Sequence, residues 1–257
     1  SFILINMKKH KIDILFFDEI DSTNNQAQRL LATRNKYPFW IIADEQTAGR
    51  GRKNRYWVSQ KGNFMGTFVL KKCFQKKYTP QLSFVTSLAL QKTIKQYDIN
   101  NKSNVFIKWP NDILINDAKC AGILIENLNS ETSQEFIAIG IGVNITTHPD
   151  NSMFTATSLK REFDFEIDRD EFLDILTCNL LSKISNWDNG NNILNILKIW
   201  KKYAYKLNKK ISMLLPSGDR VSGIFQDLDS QGGLILISEG KKRVFYAAEI
   251  IEEIKID

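Results

Sequence analysis

The sequence predicts an α+β protein in which a mixed or antiparallel sheet is flanked by helices and followed by a small C-terminal β-barrel. Two observations lead to this prediction. Up to about residue 207, short apolar strand-like segments are interspersed with segments of helical periodicity. From about Lys209 the pattern changes to short β-rich runs separated by Gly-containing turns, which is typical of small barrels. We therefore predict two domains, residues 1–207 and residues 208–257.

The elements follow from apolar spacing and from residues that begin or end helices. The segment 21–24, Asp-Ser-Thr-Asn, offers oxygens that can cap a first helix, and Asp168 can cap a later one. Asn116-Asp117 predicts the turn of a hairpin. The predicted helices are about 24–33, 81–97, 169–185 and 193–203. The predicted strands are 11–17, 40–44, 63–70, 105–109, 113–115, 121–126, 136–143, 211–215, 221–226, 234–237 and 243–247.

Composition excludes several classes of protein. Hydrophobic residues make up 43% and charged residues 25% of the 257, as in soluble globular proteins. No apolar run approaches the roughly 20 residues that span a bilayer, so we expect no membrane partner. Three widely spaced cysteines indicate a reducing compartment, and we expect a cytoplasmic location. Two histidines argue against a His-based metal centre or a Ser-His-Asp triad.

The net charge of +6 allows several interpretations. Basic proteins attract nucleic acids, but a small anionic ligand or an acidic protein partner would also fit. A Lys-rich solvated surface explains the charge equally well, because many lysines occur in short pairs such as Lys71-Lys72. We interpret most lysines in this last way and reserve a ligand-binding role for one arginine-rich loop.

That loop is residues 49–57, Gly-Arg-Gly-Arg-Lys-Asn-Arg-Tyr-Trp, called the arginine loop below. Four of its residues between 50 and 55 are cations, interleaved with glycines and followed by Trp57. Glycine permits close backbone approach, and the guanidinium group fits carboxylate and phosphate oxygens. Taken alone, the segment fits an anion site and a solvated basic loop about equally.

A second cluster combines the segment 108–112, Lys-Trp-Pro-Asn-Asp, with Lys119 and Gly122. Lys108 ends a predicted strand, where a side chain can project into a cleft, and Gly122 lets another group approach the return strand. A β-hairpin with a polar tip is the alternative interpretation. Two weaker segments are the helix start at 21–24, whose amides can bind a polar ligand, and the glycine-containing strand end at 140–144.

Several nucleotide-binding and hydrolase motifs are absent from the sequence. It contains no G-x-x-x-x-G-K-[ST] segment and no G-x-S-x-G segment. Asn54 stands where a dinucleotide fingerprint beginning at Gly49 needs its third glycine. A nucleotide must therefore bind at another kind of site.

In this order and spacing, the clusters resemble the biotin protein ligase family. The resemblance covers residues 12–200 and extends to the small C-terminal domain, and it implies a class II aminoacyl-tRNA-synthetase-like catalytic domain with an SH3-like barrel. Asn54 departs from the family's pattern of another glycine, but Asn tolerates left-handed backbone, so we expect the loop to be retained. The matching residues are Ser22, Thr23, Asn24, Gln46, Gly49–Arg52, Arg55, Trp57, Lys108–Asp112, Lys119, Ala121–Ile123, Gly142 and Asn144.

The resemblance implies a two-step reaction that uses biotin, ATP and Mg²⁺. Biotin's carboxylate first attacks the α-phosphate of ATP, giving biotinyl-5′-adenylate and pyrophosphate. A lysine of a biotin carboxyl carrier protein, such as an acetyl-CoA carboxylase subunit, then attacks the mixed anhydride and releases AMP. Cations must offset the repulsion between the two reacting anions. The implied catalytic residues are Arg52, Lys119, Asp112 and Arg55, with Asp112 near a phosphate-bound Mg²⁺ and helping to deprotonate the acceptor lysine.

The resemblance also implies which residues bind the substrates. Ser22, Thr23 and Gln46 are expected to hydrogen-bond the biotin head group, and Asn144 is expected near the nucleotide. The arginine loop would fold over the adenylate and exclude water. The full implied binding set is Ser22, Thr23, Asn24, Gln46, Gly49, Arg50, Gly51, Trp57, Lys108, Asn111, Gly122 and Asn144.

Two alternatives come from different functions. A lipoate or octanoate ligase or transferase shares the architecture, but is not expected to carry both the arginine loop and the 108–112 segment. A nucleic-acid-binding regulator would need a helix-turn-helix module, and only about ten residues precede the first predicted strand. We therefore expect no DNA binding, and either a monomer or a homodimer.

Overall fold

The computed structural model describes residues 3–7, 12–130, 133–150 and 155–251. The predicted strand start at Lys11 and the last six residues of the predicted second domain lie outside these ranges. Within them, no helix is both long and apolar enough to cross a membrane.

The larger part of the fold is an eight-stranded mixed sheet. Its strand order is β1-β2-β3-β4-β8-β7-β6-β5, in which β2 and β3 run parallel and the other neighbours run antiparallel. This arrangement confirms the predicted mixed sheet. The strands are β1 (Ile3–Met7), β2 (Ile12–Ile20), β3 (Phe39–Gln46), β4 (Phe64–Lys71), β5 (Val105–Lys108), β6 (Asp112–Ile115), β7 (Ala118–Leu128) and β8 (Phe136–Val143).

Helices cover both faces of the sheet. On β3, Trp40 and Ile42 join the larger apolar core, whereas Phe39 and Ile41 join a smaller core beneath the first helix. Successive side chains of a strand point to opposite faces, so this alternation requires apolar cover on both sides. The helices are α1 (Thr23–Leu30), α2 (Gln81–Tyr97), α3 (Leu159–Phe163), α4 (Arg169–Trp187) and α5 (Ile193–Lys201).

The C-terminal part is a five-stranded antiparallel sheet with the order β12-β11-β10-β9-β13. It docks on the larger part through the indole of Trp109, which donates to the Gly232 carbonyl at 3.1 Å, and through a 2.9 Å ion pair between Lys201 and Asp227. The 207/208 boundary stays a prediction. The strands are β9 (Lys210–Leu214), β10 (Arg220–Leu228), β11 (Leu234–Ser238), β12 (Lys241–Phe245) and β13 (Glu249–Ile251).

The carboxylate of Asp98 stabilises the chain reversal after α2. It accepts hydrogen bonds from Lys95 Nζ at 2.6 Å and from the Ser103 amide at 3.0 Å. Burial would raise the pKa of Asp98, but these bonds outweigh it and hold the pKa below the ordinary value of 3.8. The resulting stability is complete above that value and is lost as the pH falls through the lower folded-state pKa.

We therefore expect Asp98→Asn to lower the free energy of unfolding by about 1 to 3 kcal/mol at pH 7. The loss should shrink as the pH falls below 3.8 and through the lower folded-state pKa, because the stability that the Asp98 carboxylate contributes is lost there. Urea unfolding at several pH values measures both quantities. Asp174→Asn, at an exposed position of α4, is the control. A loss that did not depend on pH would contradict the explanation.

Candidate active site

One cleft brings most of the predicted site residues together. It has a volume of about 960 Å³, including the space open to solvent, and lies where the start of α1, the arginine loop and the ends of β6 to β8 meet. Ala248 and Glu249, at the start of β13, close one side. The predicted residues that line it are Ser22, Thr23, Asn24, Gln46, Arg50, Gly51, Arg52, Arg55, Trp57, Lys108, Asn111, Asp112, Lys119 and Gly122.

The arginine loop is a narrow hairpin. The Trp57 amide donates to the Gly49 carbonyl at 2.9 Å, and the Gly51 amide donates to the Arg55 carbonyl at 2.7 Å. A 3-10 turn forms the tip, where Lys53 adopts the left-handed conformation with φ 57°. The loop is retained as expected, and its left-handed residue lies one position before Asn54.

Gly49 belongs to the neck of this hairpin rather than to the cleft wall. A Cβ atom at this position would lie 2.5 Å from the Trp57 carbonyl oxygen and 2.6 Å from Ser59 Oγ. Real side chains do not approach this closely, so only glycine lets the two arms of the hairpin meet. The predicted residue is therefore structural in this fold.

The indole of Trp57 lies on the sheet, over glycines of two neighbouring strands. A Cβ atom on Gly142 would lie 2.5 Å from Trp57 Cε2, and one on Gly122 would lie 3.2 Å from Trp57 Cζ3. Gly122 and Gly142 are paired across β7 and β8. The paired glycines thus make a flat floor on which an aromatic ring can rest.

We expect Gly142→Ala to displace the Trp57 ring. In protein labelled with 5-fluorotryptophan, the ¹⁹F resonance of Trp57 should shift, while those of the buried Trp40 and Trp187 stay in place. Gly51→Ala is the control, because the nearest atom to its new Cβ would be the Arg55 carbonyl oxygen at 3.5 Å. An unchanged Trp57 resonance in the Gly142 variant would contradict this arrangement.

The start of α1 is capped differently from the sequence-based prediction. Ser22 occupies the N-cap position, but its side chain makes no capping hydrogen bond. Gln46 Oε1 instead accepts from the Thr23 amide at 2.8 Å and from Thr23 Oγ1 at 3.1 Å, and Gln46 Nε2 donates to Ser59 Oγ at 2.9 Å. The prediction of side-chain capping by this segment was wrong here, because an oxygen from β3 takes that place.

A second polar network joins α1 to the arginine loop through Glu126. Thr67 Oγ1 donates to Asn24 Oδ1 at 2.6 Å, and Asn24 Nδ2 donates to Glu126 Oε2 at 2.7 Å. Arg50 binds the same carboxylate with two bonds of 3.1 and 2.8 Å. Sequence reasoning missed Glu126, although its position four residues after Gly122 on β7 places both on one face.

Two of the predicted catalytic residues, Lys119 and Asp112, form an ion pair in the cleft. Lys119 Nζ lies 2.8 Å from Asp112 Oδ1, with side chains that are 15% and 18% exposed, and 5.5 Å from the Trp57 ring centre. Arg52 Nη1 donates to Asn111 Oδ1 at 3.1 Å. Burial lowers the pKa of Arg52, while the charge of Asp112 opposes that change. Arg52 remains cationic, since the ordinary guanidinium pKa is far above neutrality.

The C-terminal domain contributes Glu249 to the cleft. Its carboxylate accepts two hydrogen bonds from the guanidinium of Arg55, one of them 2.7 Å long, and these bonds raise the pKa of Arg55. Sequence reasoning missed Glu249 because no local pattern connects residues 194 positions apart.

Asn144 does not line the cleft. Its side chain donates to the Thr157 carbonyl at 3.0 Å, and its amide donates to the Cys120 carbonyl at 2.8 Å. Asn144 is only 4% exposed, and it fixes the segment before α3 against β7. The Asn144 carboxamide is thus engaged by a backbone carbonyl, and its expected place beside a nucleotide stays a prediction.

Asp112 is the predicted residue for a metal. Among the described residues, no group of three or more His, Cys, Asp or Glu side chains could hold a metal ion. Asp112 is also paired with Lys119. A single carboxylate suits Mg²⁺ that arrives on substrate phosphates and keeps most of its other ligands.

Comparison with known proteins defines the class. Residues 16–144 match the biotin/lipoate A/B protein ligase family, and residues 206–251 match the biotin protein ligase C-terminal domain. The fold is similar to that of a biotin protein ligase from Aquifex aeolicus in complex with biotin and ATP, with a TM-score of 0.78, 24% identity, and coverage of 93% of this chain and 97% of that one.

Two curated relatives extend the match. The chain is 36% identical to the biotin–[acetyl-CoA-carboxylase] ligase of Paracoccus denitrificans over 90% of this chain and 96% of the relative. It is 32% identical to a bifunctional ligase/repressor of Bacillus subtilis over 92% of this chain and 73% of the relative. The chain belongs to the biotin/lipoate A/B protein ligase family and carries the C-terminal domain of biotin protein ligases. The resemblance derived from the sequence is confirmed.

Proposed function

We propose that this chain is an ATP-dependent ligase that forms biotinyl-5′-AMP and transfers the biotinyl group to a lysine of a biotin carboxyl carrier protein. The convergence of the arginine loop, Lys119 and Asp112 around the Trp57 ring, which rests on the floor of Gly122 and Gly142, carries this proposal. Cations serve the phosphates and the carboxylate, and the flat Trp57 ring suits the apolar part of biotin. The 36% identity to a biotin–[acetyl-CoA-carboxylase] ligase supports the same acid and the same type of acceptor.

In the first step, a carboxylate oxygen of biotin attacks the α-phosphorus of ATP and pyrophosphate leaves. Lys119 and Arg52 offset the charge that builds up on the phosphoryl oxygens. Lys119 can bridge the two reactants, because its ammonium group lies near the Trp57 ring and beside Asp112. Mg²⁺ bound to the phosphates would neutralise part of the pyrophosphate charge, with Asp112 as its protein ligand.

In the second step, the acceptor amine attacks the acyl carbon of the mixed anhydride, and AMP leaves. The amine has an ordinary pKa of about 10.4 and must lose a proton to react. Asp112 is the carboxylate of the catalytic pair and can accept that proton. Thr23 and Gln46, which already bond each other, would hold the polar head group of biotin together with Ser22.

Pyrophosphate exchange tests this function. The purified chain should incorporate labelled pyrophosphate into ATP when biotin is present, and much less when lipoate or octanoate replaces it. Transfer should then depend on an added biotin carboxyl carrier domain. Exchange with lipoate alone would contradict the proposal and favour a lipoate ligase.

The expected oligomeric state, location and lack of DNA binding stay predictions. Light scattering would distinguish a monomer from a homodimer. Salt-dependent binding to duplex DNA at physiological ionic strength would contradict the expectation of a ligase without DNA binding.

A further inference from the structure

We propose that Glu249 of the C-terminal domain is a positioning residue that holds the arginine loop over the cleft, an inference that rests on the proposed ligase function. Glu249 lies beyond the segments that suggested the function. It acts on the reaction through Arg55 and Lys53 rather than by contact with the reacting atoms.

The contacts of Glu249 all go to the loop tip. Arg55 binds it through both terminal nitrogens, and the Arg55 Nη1 to Glu249 Oε1 distance is 2.7 Å. Lys53 Nζ lies 4.0 Å from Glu249 Oε2. Lys53 lies within the 3-10 turn Arg52–Asn54 and Arg55 directly follows it, so one carboxylate contacts the turn and the residue at its C-terminal end. The Glu249 side chain is 21% exposed, which limits competition from water.

The core of the C-terminal domain fixes the position of Glu249. The adjacent Ala248 and Ile250 are 1% and 2% exposed, and β13 pairs with β9 through Glu249 and Leu214. Because neighbouring side chains of a strand point to opposite faces, burial of Ala248 and Ile250 directs Glu249 towards the loop. The domain core therefore determines where the carboxylate stands.

The loop needs this external charge. Burial is the main cause that lowers the pKa of Arg52; the charges of Asp112 and Glu249 oppose this change, and the like charge of Arg55 adds to it. Without Glu249, Asp112 would be left to offset this repulsion, and conformations in which the tip moves into solvent would become more favourable. Glu249 offsets that repulsion from outside the reacting centre, so Arg52 can point to the 108–112 segment, where it meets Asn111.

A pair of matched variants tests the inference. Glu249→Gln removes the charge but keeps the shape of the side chain. Asp227→Asn is the control, because its ion pair with Lys201 also joins the two parts of the chain but lies on β10 and α5, away from the loop. If Glu249 acts only as an interdomain contact, the two variants should behave alike.

Limited trypsin digestion without ligand measures how accessible the arginine loop is to the protease. Glu249→Gln should speed cleavage after Arg52 and Lys53 by about two- to fivefold, the range expected for a partly exposed ion pair. Asp227→Asn should leave this rate unchanged. Equal cleavage rates in wild type and both variants would overturn the inference.

Kinetics give a second measurement. Glu249→Gln should raise the KM for ATP in biotin-dependent exchange by about the same factor and shorten the lifetime of the bound adenylate, with a smaller change in kcat. The variant Arg55→Glu/Glu249→Arg, which reverses both charges, should recover slow trypsin cleavage but not activity. Failure to recover slow cleavage would overturn the pairing.

The two proposals can fail separately. A wild-type protein without biotin-dependent exchange would contradict the ligase function, whatever the digestion result. If wild type catalyses exchange but Glu249→Gln and Asp227→Asn have equal digestion rates and equal KM values, only the role of Glu249 would be contradicted.

Discussion

Replacing Lys119 by Ala is expected to slow biotin-dependent pyrophosphate exchange by about 10²- to 10³-fold, the cost of losing one charged group that stabilises a transition state. The ammonium group is the cation placed beside Asp112, 2.8 Å away, at the wall of the cleft. Its loss removes one of the two cations, Lys119 and Arg52, that offset the repulsion between the two anionic reactants. Exchange kinetics and thermal unfolding, measured on the same preparation, would separate catalysis from stability.

Lys72→Ala is the matched control for this variant. Lys72 forms a similar pair with Glu135 at 2.7 Å, and its side chain is only 1% exposed, but it does not line the cleft. We expect Lys72→Ala to lower stability more than Lys119→Ala and to leave exchange close to wild type. If Lys119→Ala lost activity only in proportion to stability, Lys119 would be a structural residue.

Replacing Arg52 by Gly is expected to release the adenylate from the cleft. A charged hydrogen bond to a phosphate contributes about 1.5 to 3 kcal/mol, so the lifetime of the bound intermediate should fall roughly 10- to 100-fold. The rate of pyrophosphate exchange should fall by a smaller factor than the lifetime of the bound adenylate. The variant should therefore biotinylate exposed lysines of bystander proteins, which streptavidin blotting would measure together with the amount of free adenylate.

Lys53→Gly controls for the added glycine. Lys53 is the neighbouring residue, and its φ of 57° is one that glycine adopts readily, so the loop backbone should not change. We expect its adenylate lifetime to stay within a few-fold of wild type. If the Arg52→Gly and Lys53→Gly variants retained the adenylate equally long, the guanidinium of Arg52 would not be the group that holds the intermediate.

Local patterns predicted much of this fold. The α2 helix spans Gln81–Tyr97 and β8 spans Phe136–Val143, as the apolar spacing indicated. The Asn116-Asp117 turn, with φ of 48° and 69°, joins the predicted hairpin strands. Strand β1, helix α3 and strand β13 were missed; the latter two are only five and three residues long, so each contains little periodic information.

The partners of the site residues could not be predicted in this way. Glu126 meets Arg50 across 76 positions, and Gln46 replaces the expected cap at Thr23 across 23 positions. These contacts depend on the order of strands in the sheet, which residue spacing does not encode. The same holds for Asn144, because the residue pattern does not show that its carboxamide donates to the Thr157 carbonyl.

The pairing of loop cations with carboxylates has a consequence for selectivity. Besides Arg55, which Glu249 holds from outside the reacting centre, Arg50 and Lys119 already have anionic partners in Glu126 and Asp112. An incoming phosphate must therefore exchange places with a carboxylate, and it gains only the difference between two similar attractions. A simple inorganic anion gains little from such an exchange. A ligand that also buries an apolar ring against Trp57 gains the additional free energy that the exchange alone does not supply.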